Sequence, residues 1–382
     1  MSLFLLTFFL IYGGTHAYAL YKAQAALGLG WKTVLAVIPP LAALLCGPLI
    51  VYSLGERGME GASRAASWIA YTWMGLLFFF VWMNLAVDAA NFLARLLSAV
   101  FGDGPRPLIA YGRPAFLSLA GLSVVLGIYS FLEASHLRVE HIRILTDKLP
   151  AATKRLRVAQ ISDVHLGLMV RHRTAAAIAG RVREANPDLF VATGDFVDGR
   201  IDHLDGLSGI FREIHPPLGK YAVTGNHEFY AGIGPSLDFI RRAGFTVLRG
   251  EAVTVGNALR LVGVDDPASQ AFGPAPGRSE EELLGNEPSP LFTLLLKHRP
   301  YLSPAARKAA DLQLSGHTHN GQIFPFRLLV RIRYPLLSGL YESKNGASLY
   351  TSRGTGTWGP PMRFLAPPEV TIIDIERFPV RL

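Results

Sequence analysis

Leu156-Arg157-Val158-Ala159-Gln160-Ile161-Ser162-Asp163-Val164-His165 decides the fold class: a short apolar run of strand composition ends on a carboxylate and an imidazole two positions apart. The same design recurs down the chain. Leu189–Thr193 is followed by Gly194-Asp195-Phe196-Val197-Asp198, and Tyr221–Thr224 by Gly225-Asn226-His227-Glu228. Leu291–Leu296 leads into Lys297-His298-Arg299-Pro300, and Leu312–Ser315 into Gly316-His317-Thr318-His319. Leu259–Val264 belongs to the series too, although the acidic Gly263–Pro267 stretch at its end reads most simply as a turn. Nearly continuous apolar runs of this length suit strands buried on both faces. Arg173–Ala185 and Pro235–Ala243 have helical spacing between them, Tyr341–Ser343 and Ala347–Thr351 flank a Lys344-Asn345-Gly346 hairpin signal, and Val370–Ile375 closes the series as a strand. The expectation is an α/β domain of mixed sheets covered by helices, with its chemistry at the carboxyl ends of the strands.

Seven potential metal ligands fall at five of these strand ends: Asp163, His165, Asp195, Asn226, His298, His317 and His319. A single D-x-H or H-x-H pair is weak evidence, because isolated histidines are usually satisfied core or surface residues. Here five of the chain's 11 histidines occupy such positions, and glycines precede Asp195, Asn226 and His317. Glycine lets the backbone turn sharply and leaves room for an ion or a phosphate.

The ordered blocks D-x-H, G-D-x-x-D, G-N-H-E, H and G-H-x-H resemble the calcineurin-like metallophosphoesterase family over roughly Leu156–Ile375. The continuations His319-Asn320-Gly321-Gln322-Ile323 and Ser352-Arg353-Gly354-Thr355-Gly356 resemble the branch that carries transmembrane helices ahead of the catalytic domain. The resemblance implies a four-layer α/β/β/α sandwich and a dinuclear site. One ion would be held by Asp163, His165, Asp195 and His319, and the other by Asp195, Asn226, His298 and His317, with Asp195 bridging. Cations about 3.5 to 4 Å apart lower the pKa of bound water and grip a phosphoryl centre, so no nucleophilic Ser or Cys is required. By the same resemblance His227 contacts the phosphate and protonates the leaving oxygen, worth about 10²- to 10⁴-fold for a positioned acid. Asp198 and Glu228 are expected to orient histidine ligands. Carboxylates, imidazoles and one amide suit Mn²⁺, Fe or Zn²⁺, with two Mn²⁺ expected.

Composition divides the chain. Through residue 137 there are 12 charged side chains, and the remaining 245 residues hold 54. Leu3–Leu20, Thr33–Leu54, Trp68–Val87 and Pro114–Ala134 each have the length to cross about 30 Å of hydrocarbon, so four spans are expected. Asn91–Phe101 reads as an interfacial amphipathic turn or an extension of the third span. Ala17-Tyr18-Ala19 has the form of a signal-peptide cleavage site, but residues 1–2 carry no basic charge and further apolar runs follow, so the first run is expected to be retained. The organisation is then an anchor region (residues 1–137), a linker (138–155) and a catalytic domain (156–382). Apart from Glu133 near the end of the fourth run, His16 is the side chain worth weighing inside a span, and there an interfacial or interhelical hydrogen-bonding role outweighs a functional one. Five basic residues flank each side of the spans, and only by counting Lys154, Arg155 and Arg157 does the catalytic domain fall on the cytoplasmic side.

The formal net charge of +8 suits anionic substrates or anionic lipid, but without a Lys/Arg stripe interleaved with aromatics nucleic acid is not an expected partner. The single cysteine, Cys46, excludes an intrachain disulfide. Spans without a buried carboxylate, Lys or Arg to mark an ion path give no support to transport. Arg327–Tyr334 joins basic and apolar residues, as a segment leaning on a membrane surface, a lipid-accepting groove or an ordinary surface helix would. The 272–290 stretch reads as a long loop over the site. His172, His203 and His215 lie outside every block and read as surface or capping residues. The expected activity is hydrolysis of a phosphodiester or pyrophosphate, with a lipid-linked substrate a natural target for an anchored site. Hydrolases of UDP-2,3-diacylglucosamine in lipid A synthesis, which this chain resembles, offer one analogy. A phosphodiesterase or nuclease acting on soluble nucleotides and a non-catalytic membrane scaffold or sensor are the alternatives.

Overall fold

The computed structural model describes residues 3–101, 107–199, 204, 206–272, 277–343 and 346–378. They form two compact units, Met1–Leu132 with Gly359–Met362 and Glu133–Trp358 with Arg363–Leu382.

The first unit is helical: α1 (Leu3–Leu27), α2 (Trp31–Leu45), α3 (Gly47–Glu56), α4 (Glu60–Phe101) and α5 (Arg113–Ser135), whose last turn belongs to the second unit. Among the described residues two helices, α4 and α5, are long and apolar enough to cross a membrane, and α2 with α3 makes a third if that bent pair counts as one span. Two of the four expected spans, Trp68–Val87 and Pro114–Ala134, thus lie in helices of spanning length and composition, and Thr33–Leu54 falls on the bent pair. Pro39 and Pro40 inside α2 and Pro48 at the start of α3 remove amide donors, and the pair bends by 53°. In α1 polar side chains interrupt the apolar run. His16 is buried, its Nδ1 facing the Tyr12 carbonyl at 2.8 Å while its Nε2 accepts from Trp73 at 2.9 Å, which is the interhelical role. Lys22, also buried, pairs with Asp88, which accepts from the Tyr18 hydroxyl as well, so a charged pair does lie within this helix bundle. Asn91–Phe101 proves to be a continuation of α4.

The second unit holds two six-stranded sheets. Its strands are β1 (Arg138–Thr146), β2 (Arg155–Ile161), β3 (Leu189–Thr193), β4 (Lys220–Val223), β5 (Thr246–Val247), β6 (Glu251–Val255), β7 (Leu259–Gly263), β8 (Phe292–Leu296), β9 (Leu312–Ser315), β10 (Gly339–Tyr341), β11 (Ser348–Thr351) and β12 (Glu369–Arg377). One sheet runs β1-β12-β2-β3-β4-β5, with β2 to β5 parallel and β12 antiparallel to β2. The other runs β10-β11-β9-β8-β7-β6, parallel from β11 to β7 with antiparallel edges. The fold is α/β with mixed sheets. The residues expected to be a linker contain β1, paired along β12; its alternating half-exposed pattern suits an edge strand.

Period-two burial explains the packing. Val158, Leu189, Val191 and Ile373 from the first sheet meet Leu261, Leu294, Leu296 and Leu314 from the second in one core. Their neighbours Ala159, Ile161, Phe190 and Ile372 face the other way, onto α6 (His172–Ala185), α7 (Leu207–Arg212) and α9 (Ile233–Arg242). α8 (Asn226–Tyr230) follows β4 directly. The far face of the second sheet, with Val262, Leu295 and Leu349, is covered by α10 (Glu280–Leu284) and α11 (Pro304–Ala309). Residues 272–290 are thus not one loop: a Ser279 capping box starts α10 within them. The hairpin forms as β10 and β11, with Lys344 and Asn345 outside the described residues. Arg327–Tyr334 is largely the last helix, α12 (Phe326–Arg333).

Candidate metal centre

Each strand leaves a loop at its carboxyl end, and hydrogen bonds within and between the sheets draw these loops together. The Asp163 amide donates to the Gly194 carbonyl (3.0 Å), and the His317 amide donates to both Asp163 oxygens (3.0 Å each). His298 Nδ1 meets the Thr193 carbonyl at 2.8 Å, so it carries a proton and turns Nε2 toward the other loops. At Gly194, with φ +92°, a methyl group would overlap His298 and the Gly225 backbone; at Gly316 it would overlap Ser162 and Asp163. Asp163, His165, Asp195, His317 and His319 all have φ between +49° and +71°, a left-handed conformation costly for such residues. Such strain at one spot is typical of positions held by their surroundings for a functional purpose.

Six of the seven sequence-derived ligands fall into two groups, Asp163, His165 and His319, and Asp195, His298 and His317, which a third group of His165, Asp195 and His227 links. His165 and His319 face each other through Nε2 atoms 3.1 Å apart, and His319 Nε2 lies 3.4 Å from Asp163 Oδ1. On the other side His317 Nδ1 is 3.2 Å from His298 Nε2. Asp195 Oδ2 lies 3.1 Å from His298 Nε2 and 3.8 Å from His165 Nε2, so one oxygen reaches both groups. Asn226, the seventh, is buried with its Oδ1 unpartnered. His227 is grouped with His165 and Asp195, its Nδ1 2.8 Å from Asp198 Oδ1.

The residues fit a pair of divalent cations. Facing imidazole nitrogens and a bare amide oxygen are costly in a dry interior unless something accepts their lone pairs. Burial pushes His165 down to about 4 and His317 to about 3, and holds His319 well below the usual range, so all three are neutral at pH 7, as ligation requires. Burial opposes the charged forms of Asp195 and His298 as well, but each outweighs that effect on the other: Asp195 is held well below the carboxylate range and His298 well above the imidazole range.

Asp198 and Glu228 act differently from the expectation that they orient histidine ligands. Asp198 engages His227, which is outside the ligand set. Glu228 is fully buried and accepts from four backbone amides, those of Asp195 (3.0 Å), Phe196 (2.7 Å), Val197 (3.3 Å) and Gly225 (2.6 Å). A carboxylate beside the start of α8 satisfies amides that no helix bond can use, which is why it binds backbone and not imidazole. The acidic turn after β7 also does more than expected: Asp265 pairs with Arg249 and accepts from Thr224, and Asp266 takes both arms of Arg299 at 2.7 and 2.8 Å. Arg299 sits next to His298, a signal available in the sequence. Two residues had no such signal. Tyr334 places its hydroxyl 3.0 Å from His317 Nε2. Arg363, fully buried, donates to the carbonyls of His319, Arg353, Gly356 and Ala366, tying the ligand loop to the 353–366 segment. His172 and His215 are exposed and belong to none of these groups, and His203 lies outside the described residues.

Residues 156–321 match the family model described as calcineurin-like phosphoesterase. Over 256 residues, 67% of this chain and 98% of the other, the sequence is 44% identical to an uncharacterized metallophosphoesterase of Aquifex aeolicus. The chain belongs to the calcineurin-like metallophosphoesterase family. This metallophosphoesterase is also 29% identical to a transmembrane protein with metallophosphoesterase domain of Danio rerio, over 81% of this chain and 74% of that one. Among solved structures, a dimetal phosphatase from Danio rerio aligns with a TM-score of 0.35 at 15% identity, covering 53% of this chain and 88% of the other. Membership makes the chain a metal-dependent phosphoester hydrolase, and its His/Asp groups are clusters able to hold a metal ion.

Proposed function

We propose that this metallophosphoesterase is a membrane-anchored dinuclear hydrolase that cleaves a phosphodiester or pyrophosphate bond in a lipid-linked, nucleotide-containing substrate, with its catalytic unit on the cytoplasmic side. The observation that carries the dinuclear reading is the position of Asp195 Oδ2, within 3.1 Å of His298 Nε2 and 3.8 Å of His165 Nε2. Asp163, His165, Asp195 and His319 would hold one cation, and Asp195, Asn226, His298 and His317 the other, with Mn²⁺ the metal that suits these oxygen and nitrogen donors. Bound there, two cations would lower the pKa of water and draw charge from the phosphoryl oxygens.

The chain's own groups supply the remainder. Burial pulls His227 down, but Asp195 and Asp198 overcome it and raise it to about 9, so it keeps a proton at neutral pH. Asp198 occupies Nδ1, which leaves Nε2 to offer that proton to the leaving oxygen. Exposed Tyr230 and Trp358 flank His227 with ring centroids 5.5 and 5.6 Å away, faces on which a nucleobase can stack. The helices capable of spanning a membrane favour a substrate whose other end is acylated. UDP-2,3-diacylglucosamine satisfies both conditions.

The test uses full-length protein in lipid nanodiscs, loaded with Mn²⁺ and given that nucleotide lipid, other lipid-linked diesters and water-soluble nucleotides in parallel. Release of UMP from the lipid at higher kcat/KM than from soluble diesters is expected. Turnover confined to soluble nucleotides would instead establish the soluble phosphodiesterase reading and remove this one.

A further inference from the structure

α12 turns Leu328, Leu329 and Ile332 outward as an exposed apolar ridge. None of them is buried; Leu328, Leu329 and Ile332 are 57%, 48% and 79% exposed, and Phe324 and Phe326 just before them are exposed too. Leu328, Leu329 and Ile332, spaced i, i+1 and i+4, share one side of the helix. Its other side is turned inward: Arg327 and Val330 are half-buried, and Gly321 leaves no room for a methyl against the Arg327 backbone. Arg331 and Arg333 are exposed, and among the described residues no carboxylate pairs with Arg327, Arg331 or Arg333. A helix with an outward apolar ridge and unpaired arginines beside it carries the two features of an interfacial helix on an anionic bilayer.

Chain continuity supplies the second argument. Phe324 donates its amide to the Phe364 carbonyl, and the amide of the next residue, exposed Leu365, donates to Glu133 at 2.9 Å. Glu133 lies in the last turn of α5, a helix capable of spanning a membrane, and only two residues separate α5 from β1. The segment that opens α12 is thus hydrogen-bonded, through one loop, to the point where the chain would leave the bilayer. Such a short tether gives the helix a high effective concentration at the membrane surface.

We infer that α12, with Phe324 and Phe326, is a membrane-docking surface that inserts Leu328, Leu329 and Ile332 at the acyl boundary of an anionic bilayer while Arg331 and Arg333 meet lipid phosphates. Tyr334, directly after α12, contacts His317, so docking fixes the metal centre beside the headgroup layer. Docking does not depend on which phosphoester is cleaved.

The experiment uses full-length protein with Cys46→Ser and Ile332→Cys, the new thiol carrying an environment-sensitive fluorophore, in nanodiscs of phosphatidylcholine alone or mixed with phosphatidylglycerol. Exposed Glu184→Cys is the control position. Mn²⁺ content and hydrolysis of a soluble diester report that each variant is folded. The expected result is a blue-shifted emission at position 332, quenched by headgroup-attached quencher in the anionic discs and not at position 184. Arg331→Glu and Arg333→Glu should each weaken the quenching roughly fivefold, as should raised salt. Equal emission at the two positions, or quenching indifferent to lipid charge and to both arginines, would overturn the inference. So would a signal that vanishes at one protein copy per disc, which would assign the face to a second copy of the chain.

Discussion

Replacing Glu228 tests whether the strand-end loops are held by backbone capture. The carboxylate binds the amides of Asp195, Phe196, Val197 and Gly225 at 2.6 to 3.3 Å, stitching the loop after β3 to the start of α8. Burial and neighbouring Asp195 push its carboxyl up to about 7, against the amides and His298, so the group sits where small changes of charge matter. Glu228→Ala strands four buried N–H groups. At about 1 to 3 kcal/mol each, less what entering water recovers, the loss is roughly 3 to 5 kcal/mol. For a domain of this size each kcal/mol lowers Tm by about 2 to 4 °C, so a drop of roughly 6 to 20 °C is expected. Glu228→Gln keeps one acceptor oxygen but turns an NH₂ toward amides, and should lose about half as much. Because Asp195 and Asn226 sit on the stitched loops, both variants should also bind Mn²⁺ more weakly. Scanning calorimetry in detergent and metal analysis by mass spectrometry provide the readouts. A Glu228→Ala protein that melts within a degree of the parent and retains both metals would refute the reasoning.

Three further outcomes follow from the same geometry. Asp198→Asn removes a charge that raises His227, so the alkaline limb of the pH–rate profile should move to lower pH while metal content stays unchanged; an unmoved limb would exclude His227 as the acid. Gly316→Ala places a methyl on Ser162 and Asp163, and should abolish Mn²⁺ uptake measured by calorimetric titration. Arg157 holds Asp374 below the usual carboxylate range through hydrogen bonds of 2.8 and 2.9 Å. The unfolded carboxylate, near 3.9, binds protons first as pH falls, so the pair's stabilisation is present above about pH 4 and lost below it. Arg157→Ala should therefore destabilise the protein at pH 7 and make Tm less sensitive to acid, as thermal melts across pH will show.

Much of the catalytic unit was legible because its signals are local. Runs such as Leu189–Thr193 and Leu312–Ser315 coincide with β3 and β9 to the residue, since a strand buried on both faces is largely apolar and stands out from the polar loop that follows it. β1 was not legible, because Arg138–Thr146 is an edge strand whose charged, half-exposed residues look like a linker until β12 pairs with it. In the helical unit, hydropathy does not register that adjacent prolines bend α2 against α3, or that polar residues of α1 reach Trp73 and Asp88.

The residue types and order of Asp163, His165, Asp195, Asn226, His227, His298, His317 and His319 are written in the chain, and chemistry restricts what such a donor set can hold. Which oxygen of Asp195 reaches both groups, which imidazole nitrogens are bare, and that Glu228 grips backbone while Tyr334 and Arg363 brace His317 and His319 depend on loops from two sheets meeting. Ligand identity is a property of single side chains and survives in one dimension. Distances between residues more than 100 positions apart are set by how the sheets stack and where glycine permits contact, and that information exists only once the core has formed.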